Sequence, residues 1–187
     1  MIRLPALLAL PALAACGGAG QGERVEPAPA LAARCGAQAE PIFHCTVADG
    51  RVLSVCAATG DGGVPRVRYS FGRGAAHLVL PTPEGPPPRF ATVPYSGGGE
   101  AQIAFDDGPW RHVVFSRMVR TNFTAGEPNY PAIRDGLVVL REGRFAQMHV
   151  CQGGAADLPI QYEAAGRTMT REDELFTEET ARADAGG

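Results

Sequence analysis

From residue 42 onward the chain alternates between short apolar runs and breaks rich in Gly, Pro and Asp. The clearest unit joins residues 42–47 (Ile-Phe-His-Cys-Thr-Val) to residues 51–56 (Arg-Val-Leu-Ser-Val-Cys) through Ala48-Asp49-Gly50. Asp-Gly tolerates the positive φ angles that a tight hairpin needs, so the spacing predicts a β-hairpin with a two-residue turn at Asp49-Gly50. That register sets Cys45 opposite Ser54 and leaves Cys45 and Cys56 diagonal on one face. Further runs at 66–71 and 77–80 flank Gly72-Arg73-Gly74, and runs at 90–93 and 102–105 flank Ser96-Gly97-Gly98-Gly99. Asp106-Asp107-Gly108 leads into 110–116, and 137–140 and 145–151 flank Glu142-Gly143. Residues 81–88 and 120–135 carry no apolar period and read as loops. β-Branched and aromatic residues dominate the runs and no helical period separates them. The pattern predicts an all-β domain over 35–165: about eight short strands in a small antiparallel barrel or sandwich. Only the end looks helical: Thr170 as N-cap with acids behind it predicts a short helix over 170–176. An acidic helix and tail over 166–187 follows, disordered past Glu178.

The chain before residue 42 has a different character. Arg3 precedes an apolar stretch, Leu4 to Ala12, too short to span a bilayer, followed by Leu13-Ala14-Ala15-Cys16. This order of positive, apolar and small residues closing on a cysteine resembles a bacterial lipoprotein signal, the lipobox. The resemblance implies removal of signal peptide 1–15, lipid on the Cys16 sulfur and acylation, palmitate included, of the new amine. Multiple acyl chains hold a protein stably at a membrane where one does not. Gly17, rather than Asp, after the lipidated residue implies the outer membrane, periplasmic face. Residues 16–34 are then a lipidated tether, because Gly, Ala, Pro and polar residues cannot bury enough surface to offset their ordering entropy.

Charge excludes one class of partner. The chain has 17 basic residues, all Arg, against 20 acidic ones, a net charge of −3. The acids concentrate past Glu163, and no basic face suits nucleic acid. Beyond Cys16, Cys35, Cys45, Cys56 and Cys151 form an even set, which in an exported domain predicts two disulfides with three possible connectivities. The stretched diagonal geometry disfavours a direct Cys45–Cys56 bridge. No pair has the C-x₂₋₄-C spacing that zinc sites favour, and the histidines at 44, 77, 112 and 149 are scattered, so no metal and no cofactor are expected.

Catalytic readings can be assembled but fail on geometry. Asp107, His112 and Ser116 contain triad residue types without a Gly-x-Ser-x-Gly elbow, and His112 and Ser116 on one strand would stand about 13 Å apart. Gly72-Arg73-Gly74 lacks the third glycine and the helix of a dinucleotide fingerprint. Asp106-Asp107 before Gly108-Pro109 reads as a turn. An enzyme is not expected.

The segment Tyr95-Ser96-Gly97-Gly98-Gly99-Glu100 suggests binding instead. Three glycines at a hairpin tip would admit a loop into a narrow cleft, with the Tyr95 and Ser96 hydroxyls donating to a partner's carboxylates. Together with the lipobox, the strand Phe43-His44-Cys45 and the closing Cys151, this loop resembles that of the bacterial periplasmic and membrane-bound lysozyme inhibitors, small β-barrel proteins whose loop runs Ser-Gly-x-x-Tyr. Glu100 stands at the last position of that pattern. The resemblance covers about residues 42–151. It implies a Cys45–Cys151 bridge, which leaves Cys35–Cys56, and a site at Tyr95, Ser96, Gly97 and Gly98. The expected function is a membrane-anchored envelope lipoprotein with a non-enzymatic binding role toward a lysozyme or another envelope protein. The alternative is a structural lipoprotein that binds peptidoglycan or outer-membrane proteins.

Overall fold

A computed structural model describes residues 35–186 apart from 37 and 75; the expected signal peptide over 1–15, lipidation at Cys16 and tether over 16–34 lie outside the described residues. The first hairpin pairs β1 (Glu40–Thr46) with β2 (Val52–Thr59), one residue out of the expected register. Three residues rather than two close it: Val47 N–H donates to Arg51 C=O at 3.0 Å and Gly50 N–H to Val47 C=O at 2.8 Å. Gly50 alone takes the left-handed backbone (φ 81°), while the Asp49 carboxylate accepts from Arg51 N–H at 2.9 Å. Cys45 therefore faces Leu53, and a bulge between Pro41 and Phe43 sets Cys56 opposite Pro41. Leu53, Val55 and Ala57 turn into the core, so Cys56 alternates away from the core-facing Cys45 and the two cannot meet.

The disulfides run Cys35–Cys56 and Cys45–Cys151, with Cα separations of 5.4 and 5.7 Å. Their sequence separations are 21 and 106. Because loop-closure entropy grows with loop length, the longer bridge is the stronger, about 4.7 kcal/mol against about 3.

Two sheets face each other. The first has the order β1-β2-β3-β4, with β3 (Pro65–Arg73) and β4 (Ala76–Leu80). The second comprises β5 (Arg89–Tyr95), β6 (Gly98–Asp107), β7 (Trp110–Val119), β8 (Ala132–Arg141), β9 (Arg144–Val150) and β10 (Thr170–Glu172), in the order β10-β5-β6-β7-β8-β9. The chain after β9 seams the sheets along one side. Val47 bridges Cys151, His44 bridges Leu158, and Gln161 N–H donates to Ile42 C=O at 2.9 Å. The opposite side is not closed, so the architecture is a sandwich. Phe43, Leu53, Tyr69, Ile103, Phe105, Val114 and Leu137 fill the space between the sheets.

The C-terminal region departs from expectation in three ways. Thr170 caps no helix; residues 170–172 form β10, which pairs parallel with β5. The short helix, α1 (Tyr162–Thr168), lies just before it. Its signal was the spacing of Ile160, Ala164, Ala165 and Met169, all buried in the main core, and the helix packs against β1 and β3. The acidic end past Glu178 is ordered, a 3-10 helix over Glu179–Gly186 that lies on the second sheet. Thr180 and Ala183 sit three apart, the period at which 3-10 side chains align, and both are buried. Residues 173–186 thus form a strap across the outer face of the second sheet.

Candidate functional site

Strand alternation decides which side chains the outer face offers. On β6, Ala101, Ile103 and Phe105 face the core, so Glu100, Gln102, Ala104 and Asp106 face outward. The β6–β7 register places Arg117 directly across from Glu100. Their side chains close an ion pair at 2.8 Å, with Glu100 fully buried and Arg117 nearly so.

Both carboxylate oxygens of Glu100 are satisfied. The Tyr95 hydroxyl donates to Oε2 at 2.7 Å and Arg117 Nη1 donates to the same oxygen, while Gln102 Nε2 donates to Oε1 at 2.6 Å. Burial, then the hydrogen bond to Glu100, pushes the Tyr95 hydroxyl's pKa up to about 12, so it stays a donor. Arg117 Nη1 also reaches the Tyr95 hydroxyl oxygen at 3.2 Å, and its guanidinium stands over the Tyr95 ring at 5.1 Å. The other edge of Arg117, Nε and Nη2, donates to Asp184 Oδ2 at 3.1 and 3.0 Å.

Gln102 ties this cluster to the strap. Its Oε1 accepts from the N–H groups of Phe176 (2.9 Å) and Thr177 (3.2 Å), and its Nε2 donates to the Thr177 C=O at 2.8 Å. Arg134 Nε donates to the Ala183 C=O, and the Arg89 guanidinium stands 5.1 Å from the Phe176 ring centroid. Beside the strap runs an open groove of about 520 Å³ lined by Tyr95, Ser96, Arg117, Arg120, Phe123 and Glu178, among others.

The segment singled out in the sequence is therefore placed differently from an insertion loop. The turn is only Ser96-Gly97, because Gly98 and Gly99 already belong to β6 and pair with Tyr95 and Pro94. Gly97 is required by its left-handed backbone (φ 84°). Gly98 is required by close approach, since a Cβ there would stand 2.0 Å from the Met118 carbonyl oxygen. The glycines serve the turn and the sheet. Tyr95 spends its hydroxyl on Glu100, whereas Ser96 remains exposed at the tip, on the groove.

The other candidates separate. His112 Nδ1 meets the Tyr69 hydroxyl at 3.3 Å, and Ser116 Oγ accepts from Ile160 N–H at 2.8 Å, so Asp107, His112 and Ser116 are not assembled. Burial lowers the His112 pKa against the opposing charge of Asp107. Asp106 accepts from Arg111 at 2.6 Å and Arg89 at 3.0 Å, and these guanidiniums hold its carboxyl below the usual range although burial pushes it up. No group of three or more metal-ligating side chains occurs among the described residues.

Sequence reasoning passed over Gln102, Arg117 and Asp184. A signal for one pair existed: Glu100 and Arg117 are equally distant from the Gly108-Pro109 turn, and the resulting register makes them neighbours. Nothing comparable marks Asp184, which reaches Arg117 only through the path of the strap. Comparisons with protein-family models, curated proteins and solved structures give no match.

Proposed function

We propose that this chain is a membrane-anchored envelope lipoprotein whose folded part binds a partner rather than turning over a substrate. Leu13-Ala14-Ala15-Cys16 supports the anchor, and two disulfides in one small domain favour an oxidising compartment such as the periplasm. The observation that carries the binding reading is the groove beside the strap, of about 520 Å³, with apolar Val119, Phe123 and Leu175 beside polar Ser96, Arg120 and Glu178. Apolar lining with a few convergent polar groups suits recognition. The groups that could catalyse are engaged elsewhere: Asp106 by two arginines, His112 by Tyr69 and Ser116 by the backbone of Ile160.

A lysozyme-inhibitor-like role is the most concrete form of this reading. The Tyr95–Glu100 bond narrows it to Ser96 as the donor toward an enzyme carboxylate, with Arg120 alongside. The test is inhibition of several lysozyme classes by the non-lipidated chain and by its Ser96→Ala variant. Inhibition that falls at least tenfold in the variant is the expected result. Equal potency, or none, rejects the lysozyme form, and intact mass showing an unmodified Cys16 rejects the anchor.

A further inference from the structure

We propose that the outer face of the six-stranded sheet is a groove for a polypeptide segment with an open main chain followed by a 3-10 turn, filled here in cis by residues 173–186. In trans it takes a partner segment with an aromatic residue and, eight positions later, a carboxylate. This inference rests on the binding reading above and names the partner's chemistry.

Gln102 carries it. A glutamine fully buried in mid-strand, on a face shared with Ala104 and Val113, has no packing role that an apolar residue would not fill better. Its amide offers two acceptor and two donor positions. Three of the four hydrogen bonds go to main-chain groups of Phe176 and Thr177, and the fourth goes to Glu100. Main-chain groups are common to every polypeptide, so this contact recognises an open stretch of main chain and not a particular sequence. Glu100 fixes the polarity of the clamp: as an acceptor it holds Nε2, which turns Oε1 toward the incoming N–H groups. It also holds one edge of Arg117 so that the other edge is aimed at a carboxylate, now that of Asp184. Glu100, on the sheet, thus orients both Gln102 and Arg117 toward the strap.

Side-chain preference comes from two further positions. The Arg89 guanidinium faces the ring of Phe176, and Arg117 faces Asp184, eight residues on. Charge is complementary, with Arg89, Arg117 and Arg134 on the face and Glu174, Glu178, Glu179 and Asp184 on the strap. The strap itself is lightly held by apolar burial. Thr180 and Ala183 are buried, and Phe176 and Leu175 only partly so, which is the profile of a segment that opens before the core does. The open groove along Ser96, Arg120 and Phe123 adjoins it and gives an incoming segment a place to start. Because the strap is tethered, its effective concentration suppresses competitors until it is released.

The experiment uses the full chain with a specific protease site placed within 173–175 and cut in the folded state. The probe is a synthetic 173–187 peptide carrying fluorescein at its N-terminus, followed by anisotropy, with circular dichroism reporting the sheet. The cut chain, freed of its strap by dialysis, is expected to keep its β signal and bind the peptide saturably. Uncut chain is expected to bind at least a hundredfold more weakly. Phe176→Ala or Asp184→Ala in the peptide, and Gln102→Ala in the chain, should each weaken binding tenfold or more. A second peptide that keeps only Phe and Asp at their spacing on an Ala-Gly-Thr background should bind within tenfold of the strap. Loss of the sheet on strap removal overturns the proposal, because the strap is then a structural element. Retention of the sheet with no saturable binding, or equal binding of a shuffled peptide, also overturns it. A cut chain that binds the peptide without affecting any lysozyme leaves this inference standing and removes only the lysozyme form; the reverse pattern removes only this inference.

Discussion

On its inner face the second sheet buries Ile103, Phe105, Val114 and Leu137 against the first; one residue along on the same strands, its outer face buries Glu100 and Gln102, with Arg117 nearly covered. Apolar burial is non-directional and accepts any surface of the right shape. Polar burial is stable only when each group finds its partner, and one missing partner leaves the full desolvation cost. The inner face therefore supplies stability with little selectivity. The outer face selects the segment that covers it, because only main chain at Gln102 and a carboxylate at Arg117 satisfy its groups.

Substitutions on the two faces should differ in size and in reach. Phe105→Ala empties a fully buried ring site beside Tyr69, whose centroid lies 5.2 Å away, and should cost about 4 kcal/mol in a urea unfolding curve. A cost near 1 kcal/mol would mean that the sandwich collapses around the gap. Arg117→Ala should cost about 3 kcal/mol by leaving Glu100 buried without its cation. The double change Glu100→Gln with Arg117→Met should recover most of that, because the amide still accepts from Gln102 and can donate to the Tyr95 hydroxyl while the orphaned charge is gone. If single and double variants are equally destabilised, the pair matters for packing and the contrast between the faces fails.

Gln102→Ala should act locally. The Phe176 and Thr177 amides lose their acceptor, so their hydrogen exchange should speed up about tenfold or more, equivalent to about 1–2 kcal/mol of local opening. Amides of β6 and β7 such as Val114 should exchange at the unmodified rate. Acceleration spread evenly over the sheet would show that the strap and the core open together.

The contrast between the faces also explains what the sequence made legible. Short apolar, β-branched runs set off by Gly, Pro and Asp breaks marked nine of the ten strands among the described residues, although they were read as about eight, because such runs record the segments that line the apolar core. The first turn slipped by one residue, since Asp49-Gly50 specifies a positive φ at Gly50 but does not fix whether Ala48 belongs to the loop. β10 was illegible: Thr170, Arg171 and Glu172 are polar, and their conformation is set by pairing with the edge of β5. The outer site was half legible. Tyr95 and Glu100 stood out beside the glycines, but their polar character suggested exposure, whereas beneath the strap Glu100 is fully buried and Tyr95 half-buried. Its Glu- and Ala-rich composition reads as a solvated tail, and the residues that hold it down, Gln102, Arg117 and Arg134, lie in distant strands.

A second carboxylate sharpens the comparison from the inner side of the same sheet. Asp135 on β8 pairs with Ser116, whose hydroxyl hydrogen-bonds its carboxyl, yet its Oδ1 is buried without a hydrogen-bond partner among the described residues. Glu100, by contrast, is satisfied at both oxygens. Burial raises the Asp135 pKa, and the nearby charge of Asp157 adds to the rise against the Ser116 bond. A carboxyl with a raised folded pKa favours the folded state only while protonated. Its contribution is fully present below the unfolded value of about 3.9 and is lost as pH rises through the folded value. Asp135→Asn keeps the shape and an acceptor for Ser116 but does not titrate. It should therefore stabilise the chain by about 1 kcal/mol at pH 7, and that advantage should fade to nothing below about pH 4. Chemical denaturation of both proteins across this range measures the difference. A variant less stable than the original at pH 7, or a gain that persists at low pH, would show that the charged form of Asp135 is held by a partner, as Glu100 is by Arg117.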